Sequence, residues 1–519
     1  MAILKFALTW IRRLPVRFTV VYGVLMLFYL AALTVLLQIF RATALAAALL
    51  WVIGTPSQVA STAIVQIGAE GLVVFGLVGG GIVGFYNLAG LIYRRTRSRP
   101  VVASIAVTTP EPGKGTRLDK FERIGIVLAG GGAKGAYQAG ALRAIHEFLE
   151  ENNALDKVCM VSGTSIGSWN AMFWLAGLVK PPAPDARSAH EEWWRSINLS
   201  RTVEFDTYWP LRRNHFVKAT PWMETFEDTF IHNDAVKQHL GRLFAKDGGP
   251  HFYFTRSNVG RGVMEFSTNY VSLKDRKKRS MKTGFEQPMI SHERYEVING
   301  ASVESSLAKM RDAVFTSMDL PPLFPYMYRE QDPGHFYEDG GVVDNLPVWF
   351  ATNIEQCDLV FMLPLNASFE APVNRRSISH RLFRVMDVRQ GVLERNSLKM
   401  AYLYNELAAL RAAAAPAAVL GGVTVPVDLP GVEPGASAEA RAMSRDHTPV
   451  SMFAICPQQP LSIDTSEFWK PDEAAEAFAL MYKVTKTELD ERFEELTNPN
   501  WLMMTLVSPQ GGRSVLDEF

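Results

Sequence analysis

Cysteine is scarce in this chain of 519 residues: Cys159, Cys357 and Cys456 are all there is. An odd number, widely spaced and set in apolar sequence, fits neither a disulfide framework nor the spacing of zinc ligands, and it points to a reducing compartment. Net charge is missing too, with 53 Lys and Arg against 53 Asp and Glu. That balance removes the field expected of a nucleic-acid-binding protein. No acidic cluster near the glycine-rich stretches resembles a calcium loop, so neither a metal nor a cofactor is expected. What the chain does have is length. It exceeds what one hydrophobic core usually supports, so a large elaborated domain or a domain with appendages is expected.

Charge is also absent locally. Residues 18–40 and 71–93 are uncharged runs of 23 residues, and crossing the hydrocarbon layer takes roughly 20 helical residues. Gly76, Gly80 and Gly84 strip one face of the second run, which suits close helix packing. The apolar connection 41–70 is broken by Gly54, Pro56, Ser57 and Gln58. Lys5, Arg12, Arg13 and Arg17 precede the first run, and Arg94, Arg95, Arg97 and Arg99 follow the second. Both flanks are therefore expected in the cytoplasm, with two crossings between them. The expected product is a multi-pass integral membrane protein whose catalytic domain lies on the cytoplasmic side. A cleaved signal peptide is the competing reading, although 23 apolar residues exceed the usual h-region of roughly 7 to 15. The division predicted is a basic segment 1–17, a transmembrane region 18–93, and a Pro-, Thr- and Arg-rich linker 94–120.

From Phe121 the pattern changes. "RIGIVLAG" at 123–130 is a short β-branched strand that ends in glycine, and "AYQAGALRAIHEFLEE" after it has helical apolar spacing. The stretch 156–178 repeats the plan with the turn "GTSIG" between an apolar strand and an apolar helix. Two such units predict an α/β sheet with its turns at one edge. Gly130, Gly132 and Gly135 fit G-x-G-x-x-G, which would also suit a dinucleotide. The next strand, however, ends in Gly163-Thr164-Ser165-Ile166-Gly167 rather than in the acidic residue a nucleotide fold needs. Gly-x-Ser-x-Gly is a nucleophile elbow, and backbone N–H groups of the first turn then suit an oxyanion.

A serine nucleophile needs a base. An α/β-hydrolase order would take a histidine, with His380 or His447 available, but such enzymes place several strands between oxyanion loop and elbow, and here Ser165 follows Gly132 by 33 residues. Asp339 is the better candidate: it ends a short strand in "FYEDGGVVDNLPV", followed by Gly340 and Gly341, a turn that brings a carboxylate to the same sheet edge. G-G-G-x-K-G, then G-x-S-x-G, then D-G-G with N-x-P, in this order, resembles the patatin-like phospholipase family. "AVFTSMDLPPLFPYMY" at 313–328 resembles the segment that precedes the family's catalytic aspartate. The resemblance covers roughly 121–365. It implies a three-layer α/β/α sandwich and a Ser-Asp dyad with no histidine and no metal: Ser165 as nucleophile, Asp339 as proton acceptor, and Gly131, Gly132 and Ala133 as backbone donors to the oxyanion. Lys134 stands where the family has Arg or Lys, and its side chain is expected to fix the loop.

Around this core, 121–365, the sequence predicts an insertion at 180–249 and a C-terminal helical region at 366–519, with a flexible insertion 412–442 and a late strand 451–456. Trp193, Trp194, Trp209 and Trp222 suit core packing better than a lipid-facing lid. "KDRKKRS" at 274–280 is either a headgroup contact or a solvated turn. The reading is a membrane-anchored serine lipid acyl hydrolase acting on phospholipid or lysophospholipid, with membrane lipids and not nucleic acid as partners. The alternative is a catalytically weak lipid-binding or scaffold protein that keeps the fold.

Overall fold

The structure is a computed structural model. It describes residues 115–514 except 184, 206–214, 216, 246–247, 274–294, 322, 326, 329–334, 367–377, 415–449, 456–462, 464, 466, 469, 497–504 and 508–512, together with 107 and 113. The chain divides into two compact units, 1–99 with 204–217, and 100–203 with 218–519. The predicted membrane spans 18–40 and 71–93, their connection, the basic N-terminal segment and most of the linker lie outside the described residues, as do 274–280, Trp209, His447 and nearly all of 412–442. Among the described residues no helix is long and apolar enough to cross a membrane.

In the second unit eleven strands form one mixed sheet: β1 (Ile124–Leu128), β2 (Val158–Gly163), β3 (His251–Asn258), β4 (Val263–Thr268), β5 (Tyr295–Val297), β6 (Met327–Tyr328), β7 (Phe336–Asp339), β8 (Leu359–Leu363), β9 (Ser451–Ile455), β10 (Thr505–Val507) and β11 (Arg513–Ser514). The helices that bear on the site are α1 (Gly135–Glu151), α2 (Ile166–Leu175), α3 (Ala189–Arg195), α4 (Thr220–Phe226), α5 (Val303–Ser317), α6 (Ile378–Ala414) and α7 (Pro471–Leu496). β1 is central, paired in parallel with β2 on one side and β8 on the other. Its five residues are all buried, as expected of a strand covered on both faces. Ile124, Ile126 and Leu128 enter one apolar core, and Val127 enters the other. Residues of α1, α2, α5 and α7 fill the first core, whereas Phe350, Ala351 and the α6 residues Leu398 and Ala401 fill the second. Two cores on one sheet make three layers.

β3 orders the geometry. β2 pairs in parallel with its first half, up to Gly163 opposite Phe254. β4 occupies the other edge of β3 through Asn258. β7 therefore takes the place that β2 vacates, antiparallel, with Asp339 opposite Arg256. Only Thr255 separates the two register positions, so the end of β2 and the end of β7 meet head-on.

Residues 366–519 contribute strands as well as the helices α6 and α7. β9, β10 and β11 extend the central sheet beyond β8, and α7 packs on α1, where a Cβ on Gly140 would come within 2.1 Å of the Phe478 carbonyl oxygen. The late strand is Ser451–Ile455. The folded unit also begins before Phe121, since Leu118 is fully buried. In the 180–249 insertion Trp194 and Trp222 are buried and Trp193 stacks on Trp222 at 5.5 Å, so these three belong to the core rather than to a lid. The fold also brings together two cysteines far apart in sequence. The free thiols of Cys159 and Cys357 stand 3.5 Å apart, beside Gly125, where a side chain would meet the Cys357 sulfur.

Candidate active site

The second strand-turn-helix unit forms a sharp elbow. Ser165 has φ 53° and ψ −126°, a backbone conformation that a non-glycine residue adopts only when its surroundings impose it. The glycines explain how. A Cβ on Gly163 would lie 2.6 Å from Ser168 Cα, and one on Gly167 2.5 Å from the Leu128 carbonyl oxygen. Within the turn, Gly167 N–H donates to the Thr164 carbonyl at 2.8 Å and the Ser168 hydroxyl to the Ser165 carbonyl at 2.6 Å. The Ser165 N–H donates to Ser317 Oγ, at the end of α5, at 2.8 Å. Ser165 thus sits at the N-terminus of α2, and its helix dipole favours negative charge there.

Asp339 comes up from the other side. Its Oδ1 accepts from the Gly341 N–H at 2.8 Å, and its carbonyl oxygen accepts from Ser257 Oγ at 2.8 Å. Gly340 is required because a Cβ there would strike Thr255 Oγ1 at 2.2 Å, and Thr255 Oγ1 is itself 2.8 Å from Thr164 Oγ1. Oδ2 of Asp339 is buried and meets no partner in hydrogen-bonding geometry. Even so, the Ser165 hydroxyl is close enough to act on the carboxylate. Burial pushes the Asp339 pKa up to about 7, while hydrogen bonding from Ser165 and Gly341 pulls against that rise. A loose contact of this kind is common before substrate binds and tightens in the reacting complex.

The first turn is held differently. Gly132 has φ +57°, and a Cβ on it would fall 2.1 Å from the Thr465 carbonyl oxygen. That carbonyl accepts the Ala133 N–H at 2.9 Å. Ala133 is thereby corrected as an oxyanion donor, because its N–H is already engaged by a segment too distant in sequence to foresee. The N–H groups of Gly131 and Gly132 make no hydrogen bond among the described residues. Gly130 needs its missing side chain, since a Cβ would meet Asn345 Oδ1 at 2.6 Å and Ser165 Cβ at 2.8 Å. Gly135 is pressed by Ile166 and Trp194 in the same way. Lys134 is buried; its Nζ donates to Asn366 Oδ1 at 2.9 Å and pairs with Asp387 at 3.1 Å.

Behind this turn lies a polar network absent from the sequence reading. Asn345 Nδ2 donates to the Gly130 carbonyl at 3.0 Å and to Glu394 Oε1 at 2.5 Å. Glu394 also accepts from the N–H and the side-chain amide of Asn366, at 2.9 and 2.8 Å. It is fully buried, and burial raises its pKa to about 7 against those hydrogen bonds. Thr465 Oγ1 donates to Asp387 at 2.5 Å. Asp387 and Glu394 both lie on α6, so that helix fixes the loop that faces Ser165. Asn345 was legible only as part of N-x-P; nothing local marks Glu394, Asp387 or Thr465.

Histidine is not at the site among the described residues. His190 is buried against Asn170 at 2.8 Å, and desolvation lowers its pKa to about 3. Of His380 only the backbone, in α6, is described. No group of three or more His, Cys, Asp or Glu side chains able to hold a metal occurs among the described residues.

Residues 126–352 match the family model described as patatin-like phospholipase. That stretch is less than half of the chain; it runs from β1 through the elbow and Asp339 to just beyond Asn345 and includes the centre of the mixed sheet. Among solved structures, VipD from Legionella pneumophila is similar at 15% identity and a TM-score of 0.29, over 76% of this chain and 73% of that one, a likeness too loose to carry an inference. No curated protein matches the chain.

Proposed function

We propose that this protein is a serine lipid acyl hydrolase of the phospholipase or lysophospholipase type, working through a Ser165–Asp339 dyad. Asp339 accepts the Ser165 proton as the hydroxyl oxygen attacks an ester carbonyl. The negative tetrahedral oxygen is met by the N–H groups of Gly131 and Gly132, each such donor being worth about 3 kcal/mol of barrier. The alcohol leaves with the proton, an acyl-serine remains, and water activated by Asp339 releases the fatty acid. The observation that carries this reading is a serine held in positive φ at the end of β2 and a fully buried carboxylate at the end of β7, with one register position between the two strand ends along β3. A base whose pKa is lifted to about 7 suits proton transfer near neutral pH.

The uncharged runs 18–40 and 71–93 support tethering of this domain to a membrane through two crossings, with both basic flanks in the cytoplasm. The test is hydrolysis by the purified full chain of a panel of phospholipids, lysophospholipids and neutral glycerides, with Ser165→Ala as control. Fatty-acid release that requires Ser165 is expected. A folded parent chain that releases none from any of them leaves the lipid-binding or scaffold reading instead.

A further inference from the structure

α6 has two faces of opposite character. Between Arg384 and Asn405 its buried positions are Asp387, Gln390, Gly391, Glu394, Leu398, Ala401 and Asn405, the face that grips the loop before Ser165. On the opposite side five large apolar side chains stand in solvent: Val385 at 67% exposure, Val388 at 50%, Val392 at 40%, Met400 at 50% and Leu403 at 41%. Spaced 3, 4, 8 and 3 residues apart, they fall within roughly 120° of arc at about 100° per residue. They make up five of the ten exposed large apolar residues among the described ones, so the stripe is not a sample of the general surface.

Within the described part of α6, the charged residues near the stripe are of one sign. Arg384, Arg389, Arg395 and Lys399 lie within it or along its rims, whereas the two acids of the stretch, Asp387 and Glu394, are both buried on the far side. Arg389 additionally donates to the Val342 carbonyl at 2.6 Å, in the turn after Asp339, which sets this end of α6 beside the site.

We infer that this outer face of α6 is a docking surface for an anionic lipid membrane. An apolar stripe rimmed by Lys and Arg matches an interface whose headgroups are negative and whose interior is hydrocarbon, each basic residue near such a surface being worth about 1 kcal/mol. A second copy of the chain fits badly, because a two-fold contact would lay four cations against the same four cations. The inference deepens the proposed function by naming the surface that meets the substrate. It accounts for valines left in water, and it places the membrane and the oxyanion loop on opposite sides of one helix.

The test uses the full chain with Ser165→Ala, so that it reads docking whether or not the site hydrolyses lipid. An environment-sensitive fluorescent amino acid replaces Val388, and the protein is reconstituted into vesicles of phosphatidylcholine alone or with about one third phosphatidylglycerol. Blue-shifted emission, quenched by lipids carrying a nitroxide on the acyl chain, is expected in the anionic vesicles and reversed by high salt. The same probe at Val271, exposed elsewhere, should stay in water. Lys399→Gln should lower the ratio of docked to undocked protein about fivefold, and Arg384→Gln with Lys399→Gln about 25-fold. A probe at 388 that remains hydrated in both vesicles overturns the inference. So does shielding that depends on protein concentration and not on anionic lipid, which would mean a second copy.

Discussion

The two glycine turns of the candidate site are built on opposite plans. The elbow at 163–167 is shaped from nearby: its glycines are excluded volume for one another and for β1, and its internal hydrogen bonds run over three residues, with Leu128, Thr255 and Ser317 adding one contact each from farther along the chain. The loop at 130–134 is held from afar, by Asn345, Leu365, Asn366, Asp387 and Thr465, every one more than 200 residues later. A strained nucleophile can be specified by local sterics alone. A loop whose task is to aim N–H groups at an oxygen has no such internal constraint, and it takes its rigidity from whatever the fold brings behind it.

The largest effect that probes this contrast lies at the chemistry itself. Ser165→Ala and Asp339→Asn should each lower kcat by about 10⁴-fold or more with the fold intact, while His380→Ala and His447→Ala leave it nearly unchanged. A dead but folded histidine variant would remove the dyad. Asp339→Asn carries a second signature. Burial raises the folded-state pKa to about 7, above about 3.9 for an unfolded aspartate. Between those values the folded chain binds the proton more tightly, so stability from this group is lost as pH rises through the window. The variant should therefore melt higher than its parent above pH ~7, by an amount on the order of 1–3 kcal/mol, and the gain should vanish near pH ~4.

Next in size are the distant supports. Asn345→Ala or Glu394→Ala should lower kcat roughly 10- to 100-fold with KM little changed, the expected result of an oxyanion loop displaced by a fraction of an ångström. A rise in KM at unchanged kcat would mean that the network shapes a binding pocket, and the contrast between the turns would collapse. The pH profile separates the two buried carboxyls. Activity should climb as pH passes through about 7, when Asp339 loses its proton, and Glu394→Gln should keep that midpoint at a lower plateau, since the amide retains the acceptor for Asn345 and Asn366. Loss of the climb in Glu394→Gln would assign it to the wrong residue.

The smallest effect is expected inside the elbow. Ser168→Ala removes one local hydrogen bond, to the Ser165 carbonyl; stability should fall by about 1 kcal/mol and activity by less than about threefold, because the glycines still fix the turn. A large loss of activity on thermal-melt-verified, folded protein would show that the elbow too depends on side-chain support.

This division explains what could be read in advance. Gly163, Ser165 and Gly167 were legible because the steric reason for each sits within a few residues or on the adjacent strand. Asp339 needed only the strand before it and the two glycines after it. Ala133 was misassigned as a donor because the carbonyl that engages its N–H belongs to Thr465, with no sequence mark on either residue. Glu394 looked like any acid on a long helix, and only the fold reveals that it is buried against two asparagines. The C-terminal third read as helical with one late strand because β10 and β11 are only three and two residues long, so their place in the main sheet is a matter of topology rather than of pattern.

The spacing of the dyad along β3 bears on how such a chain tolerates change. Ser165 and Asp339 are brought together by a count of residues on one strand, Phe254 to Arg256, and not by the lengths of the connections that lead to them. Connections can therefore change length without altering the gap, provided that core residues such as Trp194 and Trp222 keep their places. One residue added to or deleted from β3 between those two positions would turn Thr255 to the opposite face and put the aspartate out of phase with the serine. The lengths of the outer connections are thus free to vary, whereas the length of β3 between Phe254 and Arg256 is not, although neither residue lies at the candidate site itself.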